Sequence, residues 1–374
     1  MRILIITGEI SGDLYGALLV KRIRELNPSY HFVGIGGPRL RGTDAEILFS
    51  AEALSLVGIP KPTELKKYFF IYRKIEELLK KKRVDLVLLV DFPGFNLRVA
   101  KMAKNLGYPV IYYVAPQVWA WHKNRIKILK KYVDYLFVIL PFEEEFFKNY
   151  GISVKFYGHP LLDVVRVKIP KELFYEIYGL DPERPIISFF PGSREGEVVR
   201  HLPLFFKVYE VLKKRNPKIQ GIVCKAEGLK DSPLWEKAKE LMLVLENTQY
   251  EVLSYSKASL LASGTITLEA ALLKTPGVVT YTLPSWLFFL AKRLVKVPYI
   301  SLPNLILGKE VYPEILQERS SPFELAKALE RTMEKEEEIK SELEPLRKML
   351  GTPGVTWRVA EEVIRLSQGF KNKP

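Results

Sequence analysis

The chain has 374 residues, 48% of them hydrophobic, and a formal net charge of +14 at pH 7. This length exceeds what one hydrophobic core ordinarily serves, so we expect two domains, and the single cysteine excludes an internal disulfide. No apolar run reaches the roughly 18 residues of a membrane span, and the N-terminus lacks a signal-peptide pattern, so we expect a cytoplasmic protein with an acidic partner.

The first predicted strand, residues 2–7, leads into the glycine-rich segment TGEISGDLYGA. Its glycines are spaced by four, unlike the G-x-G-x-x-G of dinucleotide-binding turns, so we expect no redox cofactor. Asp13 suits a first helical turn, where a carboxylate is stabilised by the helix dipole. Glu9 precedes that helix at the carboxyl end of the strand, where open α/β sheets bind ligands. Glu9 is therefore a candidate catalytic carboxylate.

Residues 61–83 form a basic segment that is interleaved with aromatic residues. Nine Lys or Arg stand there against three Glu, which is typical of a helix at the headgroup level of an anionic membrane. An RNA-binding surface and a plain solvated helix face are the alternatives. The residues proposed to contact the membrane or a substrate are Lys66, Lys67, Phe69, Phe70 and Arg73.

The run DLVLLVDFPGFN places Asp91 directly after a continuous apolar strand, residues 85–90. Partial burial at a sheet edge raises the pKa of a carboxylate towards the operating range, which suits a general base. The alternative is a structural Asp that holds the Phe92–Gly94 turn.

The next strand, residues 110–114, is followed by two tryptophans and a basic helix. Residues 98–131 hold eight Lys or Arg and no acid. Trp119 and Trp121 are candidates for contact with a sugar substrate, because sugar faces stack on indole rings. Tryptophans in a loop more often fill an interface, which is the alternative.

Short apolar strands alternate with helical patterns along the whole chain, which predicts parallel sheets covered by helices. After strands at 135–139 and 154–157 and a mixed segment, the same alternation of strands and helices begins again. We therefore expect two Rossmann-like domains that face a shared cleft. The later strands are expected at 186–190, 219–224, 243–246, 259–262 and 277–280. One solvated helix is expected over 324–349 and a last amphipathic helix over 355–368. The predicted domains are 1–165 (substrate and membrane contact), 166–350 (the polar turns of the second half) and 351–374, a C-terminal helix that packs back on the first domain.

Two polar turns in the second half precede predicted helices. In IISFFPGSREGEV, Gly192, Ser193 and Arg194 follow a strand and open a helix. A phosphate is well bound by unpaired N–H groups at a helix start together with a hydroxyl and a guanidinium group. The alternative is that Ser193 is an ordinary N-cap residue. In ASGTITLE, the candidates for nucleotide binding are Ser263, Gly264, Thr265 and Glu269.

A second aromatic and basic segment, SWLFFLAKRLVK, covers residues 285–296. Aliphatic bulk beside positive charge favours a membrane over nucleic acid. Leu287, Phe288, Phe289 and Arg293 are the candidates for this contact.

The chain resembles the lipid-A-disaccharide synthase family. The resemblance rests on the ordered motifs GEISGD, VDFPGFN, YVAPQVWAW, LPFE, GHPLLD, PGSRE, ASGTITLE and AKRLVKVPYISLPNLILG. Two positions depart from the family pattern: Gly94 stands where many members carry Asp, and His122 where Arg is frequent. Asp91 is then the matching carboxylate of its motif.

The resemblance implies an inverting GT-B glycosyltransferase that joins UDP-2,3-diacylglucosamine to 2,3-diacylglucosamine 1-phosphate and releases UDP. It implies Asp91 as the general base, with Glu9 as the alternative, Arg194 at the leaving group, and Asn304 of SLPN near the nucleotide. No metal or other cofactor is expected. The protein would lie on the inner face of the cytoplasmic membrane, bind no nucleic acid, and be a monomer or a homodimer.

Two other kinds of function stay open at this point. One is another UDP-sugar enzyme of the GT-B fold, such as a peptidoglycan N-acetylglucosaminyltransferase or a UDP-sugar epimerase. The other is a non-catalytic, basic RNA-binding protein.

Overall fold

A computed structural model describes residues 1–54, 62–120, 124–284, 288 and 297–371. The chain divides into two compact units, the first made of residues 1–163 and 350–374 and the second of residues 164–349. The predicted boundaries after residues 165 and 350 lie within two residues of these limits.

The first unit is built on a seven-stranded parallel sheet. The strand order is β3-β2-β1-β4-β5-β6-β7. The strands are β1 (Arg2–Ile6), β2 (His31–Gly36), β3 (Glu46–Ser50), β4 (Leu86–Val90), β5 (Val110–Tyr113), β6 (Tyr135–Val138) and β7 (Val154–Phe156). The helices are α1 (Ile10–Leu26), α2 (Pro38–Arg41), α3 (Pro62–Lys80), α4 (Pro93–Asn105), α5 (Arg125–Tyr132), α6 (Glu143–Lys148) and α7 (Leu161–Val164).

The core of this unit explains why the sequences of its central strands are unbroken apolar runs. Every residue of β4 is buried, as are Ile3 to Ile6 of β1, because helices cover both faces of the sheet. Helix α3 contributes Tyr68, Ile71 and Ile75 to the same core.

The second unit repeats this plan with a six-stranded parallel sheet in the order β10-β9-β8-β11-β12-β13. The strands are β8 (Ile186–Phe190), β9 (Gln220–Lys225), β10 (Leu243–Glu246), β11 (Ala258–Ala262), β12 (Gly277–Tyr281) and β13 (Glu314–Leu316). The helices are α8 (Lys171–Tyr178), α9 (Glu195–Arg215), α10 (Pro233–Leu241), α11 (Gln249–Tyr255), α12 (Thr265–Leu272), α13 (Leu302–Leu307), α14 (Pro322–Glu334) and α15 (Glu336–Met349).

The prediction of one solvated helix over 324–349 is wrong in two respects. The chain leaves the helical conformation at Lys335, so α14 and α15 are separate helices. Both are amphipathic, because Leu325, Leu329 and Leu343 are buried while their charged neighbours face solvent.

The last helix, α16 (Val355–Lys371), belongs to the first unit and packs against α1. Its N-terminus is capped by Asp163 of the GHPLLD motif, whose carboxylate accepts hydrogen bonds from the N–H groups of Gly354 (2.6 Å) and Thr356 (2.7 Å). At its other end, Ser367 hydrogen-bonds the Tyr30 hydroxyl at 2.7 Å.

Each sheet reverses its strand order once. In the first unit the reversal lies between β1 and β4, and in the second between β8 and β11. The loops at the carboxyl ends of such a strand pair diverge to opposite faces and leave the crevice in which open α/β sheets bind ligands.

Candidate functional site

The reversal point of the first unit brings together the two predicted catalytic carboxylates. Glu9 is the N-cap residue of α1 after β1, and Asp91 directly follows β4. Both residues are half-buried. A Cβ atom at Gly12, in the first turn of α1, would lie 3.2 Å from Asp91 Cβ and 3.8 Å from its Oδ2. The side chain of Asp91 therefore packs on the N-terminal turn of α1, where the helix dipole favours negative charge.

The backbone at Asp91 is strained and held in place. Asp91 and Phe92 both adopt left-handed φ angles, 50° and 51°, which cost about 1–3 kcal/mol each in a non-glycine residue. The Asp91 carbonyl accepts hydrogen bonds from the Tyr112 hydroxyl (2.6 Å) and from Asn96 Nδ2 (2.7 Å), and the Asp91 N–H donates to Tyr113 O (2.9 Å). These contacts fix the direction in which the Asp91 carboxylate leaves the strand.

The second acid of TGEISGD has a structural role. Asp13 is buried and accepts hydrogen bonds from the Thr7 hydroxyl (3.1 Å) and from the N–H groups of Gly37 (2.6 Å) and Arg39 (2.8 Å). It thus caps α2, in addition to lying in the first turn of its own helix.

Glu143 is a residue of this edge that sequence reasoning missed as a site residue. Its side chain is buried, with 1% of the residue exposed, and accepts hydrogen bonds from Trp119 Nε1 (2.9 Å) and the N–H groups of Ile139 (3.2 Å) and Leu140 (3.0 Å). Burial raises the pKa of Glu143 to about 7, against the opposing effect of these hydrogen bonds, and the nearby charge of Asp91 raises it further.

Trp119 is half-buried between Glu143 and Phe142, against whose ring it packs edge-on at 5.0 Å. Trp121 lies outside the described residues.

The sequence signal for Glu143 is the LPFE motif, but its position in a run of three Glu reads as a solvated helix start.

The reversal point of the second unit carries both polar turns that were predicted to bind the nucleotide. Ser193 and Arg194 are exposed on the loop between β8 and α9, and half of the Arg194 side chain (52%) is accessible. Gly192 has a left-handed φ of 119°, and a Cβ atom there would lie 2.5 Å from Glu197 Oε2.

The Glu197 carboxylate occupies two of the N–H groups of the predicted phosphate site. Its Oε2 accepts hydrogen bonds from the N–H groups of Ser193 (3.0 Å) and Arg194 (3.3 Å), which makes a capping box at the start of α9. Its Oε1 accepts from the Tyr281 hydroxyl at 3.1 Å. An anion at these two N–H groups would meet the Glu197 carboxylate, which leaves the Arg194 guanidinium as the candidate group of this loop for contact with an anion.

His201 joins this loop to the segment that follows β12. It is fully buried, with Nδ1 2.9 Å from Pro191 O and Nε2 accepting from the Thr282 N–H at 3.1 Å. Burial lowers the pKa of His201, so the ring is neutral and carries its proton on Nδ1.

The second polar turn lies between β11 and α12. Gly264, the N-cap residue of α12, is exposed, and Ser263, Thr265 and Glu269 are half-buried. The Ser263 hydroxyl donates to Ile300 O at 3.2 Å, which ties this turn to the SLPN segment.

Asn304, which is predicted to lie near the nucleotide, is held by hydrogen bonds within its own unit. It is fully buried, and its Nδ2 donates to Tyr312 O (2.7 Å) and Glu314 Oε1 (3.0 Å) while its Oδ1 accepts from the N–H groups of Val311 and Tyr312. These four bonds use the donors and acceptors of the amide, so Asn304 supports the SLPN segment from within.

Helix α3 presents the predicted aromatic and basic residues on one exposed face. The face carries Lys66, Phe69, Phe70 and Arg73, which follow one another at helical spacing, with Lys67 beside them. All five residues are exposed, Phe69 to 55% and Phe70 to 53%. We call this set the α3 stripe. Phe288 is half-buried, whereas Leu287, Phe289 and Arg293 lie outside the described residues.

Two features are absent from the described part of the chain. It contains no helix long and apolar enough to cross a membrane. Nor does it contain a group of three or more His, Cys, Asp or Glu side chains that could hold a metal ion.

A family model described as Lipid-A-disaccharide synthetase matches residues 3–361. The chain belongs to this family. Among its relatives, the lipid-A-disaccharide synthase of Trichlorobacter lovleyi is 38% identical over 375 residues, which cover 98% of this chain and 97% of the relative. The prediction from the ordered motifs is therefore confirmed, and neither another UDP-sugar enzyme nor an RNA-binding protein is favoured.

Solved structures show that the fold is that of GT-B enzymes. The UDP-GlcNAc 2-epimerase from Neisseria meningitidis bound to UDP-GlcNAc matches with a TM-score of 0.69 at 14% identity, covering 98% of this chain and 100% of the other. The calicheamicin glycosyltransferase CalG4 matches with a TM-score of 0.61 at 15% identity, covering 100% and 99%. The predicted fold class of two parallel-sheet α/β domains is confirmed.

Proposed function

We propose that this member of the lipid-A-disaccharide synthetase family joins UDP-2,3-diacylglucosamine to 2,3-diacylglucosamine 1-phosphate with inversion and releases UDP. The observation that carries the proposal is the family match over residues 3–361, which includes the polar loops at both reversal points. The solved epimerase was captured with UDP-GlcNAc, which favours a nucleotide sugar as the donor class for this fold.

The two reversal points suit the two halves of an inverting transfer. Such a reaction needs a base for the acceptor hydroxyl and a stabilised leaving group on the opposite face of the sugar. Asp91 is proposed as the base because its carboxylate is half-buried and its backbone is fixed, with Glu9 as the alternative.

For the leaving group, Arg194 and the exposed N-terminus of α12 at Gly264 and Thr265 would stabilise the charge that develops on the β-phosphate. Glu269, one turn into α12, is proposed to accept from the ribose hydroxyls. We expect no metal to be needed.

We further propose that the α3 stripe rests on an anionic membrane surface at the cytoplasmic face, where the acyl-sugar substrates would be located. Exposed phenylalanines beside lysine and arginine match the headgroup zone of such a membrane.

The test is product analysis with purified protein, both substrates and EDTA. We expect a disaccharide 1-phosphate whose new glycosidic bond has the anomeric configuration opposite to that of the donor. A product of retained configuration would contradict the inverting mechanism, and a reaction abolished by EDTA and restored by a divalent cation would contradict the metal-free leaving group.

A further inference from the structure

Glu143 is a buried acid at the catalytic edge whose position the proposed reaction leaves unexplained. Taking a carboxylate out of water is costly unless its oxygens are hydrogen-bonded, and Glu143 meets this condition with three donors. Two of them, the N–H groups of Ile139 and Leu140, belong to the loop after β6, while the third is the Trp119 indole on the loop after β5. Glu143 therefore joins two loops at the carboxyl edge of the sheet.

These loops connect to Asp91 through the backbone. The Asp91 N–H donates to Tyr113 O at the end of β5, and the Val114 N–H donates in turn to Phe137 O of β6. Val114 has a left-handed φ of 64°, so the chain turns sharply there towards Trp119. The loop that carries Trp119 therefore begins at the end of the strand that accepts the Asp91 N–H.

We propose that Glu143 is a positioning residue of the active site: its buried carboxylate holds the Trp119 indole, and with it the loop after β5, in the arrangement that the acceptor sugar needs at Asp91. The proposal rests on the proposed function, in which Asp91 is the base. Misplacement of a reacting group by about 1 Å can cost on the order of 10²-fold in rate, so the contact is large enough to matter.

The two substrates provide a readout that a purely structural role would not divide. The Glu143–Trp119 contact joins the loops after β5 and β6 in the first unit, whereas Arg194 and the α12 turn, proposed for the donor, lie in the second unit. Loss of the contact should therefore lower kcat/KM for the acceptor and leave the KM for the donor unchanged.

The experiment compares Glu143→Gln, Trp119→Phe and the double variant with Glu145→Gln, a matched change of an exposed acid on the same helix. UDP release is measured against acceptor and donor concentration, and thermal melting reports folding. We expect Glu143→Gln to lose about 10-fold or more in kcat/KM for the acceptor, with an unchanged KM for the donor. Trp119→Phe should lose activity in the same direction, and the double variant should lose no more than the worse single variant.

Three outcomes would overturn the proposal: a folded Glu143→Gln within about twofold of the parent in kcat/KM for the acceptor, multiplicative losses in the double variant, or an unimpaired Trp119→Phe. If Glu143→Gln does not fold, Trp119→Phe decides, since it removes the indole N–H donor and keeps an aromatic ring. Failure of the proposed function is distinguishable, because the parent and Glu145→Gln would then release no UDP with the acceptor.

Discussion

Asp91 is the residue on which the proposed chemistry depends most. Asn tolerates left-handed φ angles, so Asp91→Asn should fold with the same turn and lose only its basicity. We expect turnover to fall by about 10²-fold to 10⁴-fold while UDP binding persists. Single-turnover kinetics and UDP titration of the variant are the measurements. If Asp91→Asn keeps most of its activity while a folded Glu9→Gln is inactive, the base is Glu9.

Arg194 is predicted to matter for rate and not for stability. Half of its side chain is exposed and its ion pair with Glu197 spans 3.4 Å, so the pair contributes little to folding. Arg194→Ala should lower kcat/KM by about 10²-fold, by analogy with the loss of an oxyanion donor, and leave the melting temperature near that of the parent. The control is Arg215→Ala at the far end of α9, where the arginine pairs with Glu330. Normal turnover and UDP affinity in Arg194→Ala would remove this residue from the site.

His159 should make the fold sensitive to acid. Burial lowers the pKa of His159 to about 3, against an ordinary value of 6.5, so the neutral ring is favoured in the folded state. Because the unfolded chain binds the proton first, stability is lost as the pH falls from 6.5 towards 3. At pH 5 the loss from this group is on the order of 2 kcal/mol.

Chemical denaturation at pH 7 and pH 5 measures this effect. His159→Asn, which can accept the Leu161 N–H bond in place of Nδ1, should lose less stability between the two pH values than the parent. The exposed His31 provides the control, since His31→Asn makes the same chemical change at the surface. Equal pH dependence in the parent and His159→Asn would show that the ring does not titrate as proposed.

At the scale of elements, α3 is predicted to bind anionic membranes. Each basic group near such a surface contributes about 1 kcal/mol, and this part fades with salt, whereas the exposed phenylalanines contribute through their apolar area. Replacing Phe69 and Phe70 by Ser should weaken sedimentation with anionic vesicles at all salt concentrations. Phe323→Ser, an equally exposed aromatic on α14, is the matched control. Equal binding to neutral and anionic vesicles at low salt would contradict the electrostatic contribution.

The elements that sequence patterns predicted best are the central strands. β1, β4, β8 and β11 are buried on both faces, so each is an apolar run that needs no periodicity to be recognised. The strands β3 and β13 were not predicted, because both lie at the edge of a sheet and are largely half-buried, with only three to five residues each. Edge strands of this kind carry too little apolar character to be distinguished from loops.

Side-chain partners explain what the sequence could not reveal about the site. The polar turns at Asp91, Ser193 and Gly264 were predicted, because each follows a strong strand signal. The buried roles of Asn304 and Glu143 depend on partners in other segments: Glu314 for the first, and Trp119 for the second. A single sequence does not show such pairings, so Asn304 was interpreted as a residue near the ligand and Glu143 as part of a solvated helix start.

At the scale of the whole molecule, the proposed reaction uses groups from both units. In this proposal the β4 turn of the first unit supplies the base, and the β8 and β11 turns of the second supply the groups that stabilise the leaving UDP. Because the acceptor hydroxyl is the attacking nucleophile, release of UDP should require the acceptor as well as the donor.

The most direct measurement is UDP release from UDP-2,3-diacylglucosamine by the purified full chain, with and without 2,3-diacylglucosamine 1-phosphate. The account predicts sustained UDP release only when the acceptor is present, in amounts equal to the disaccharide formed. Release at the same rate without the acceptor, or no release with both substrates present, would contradict it.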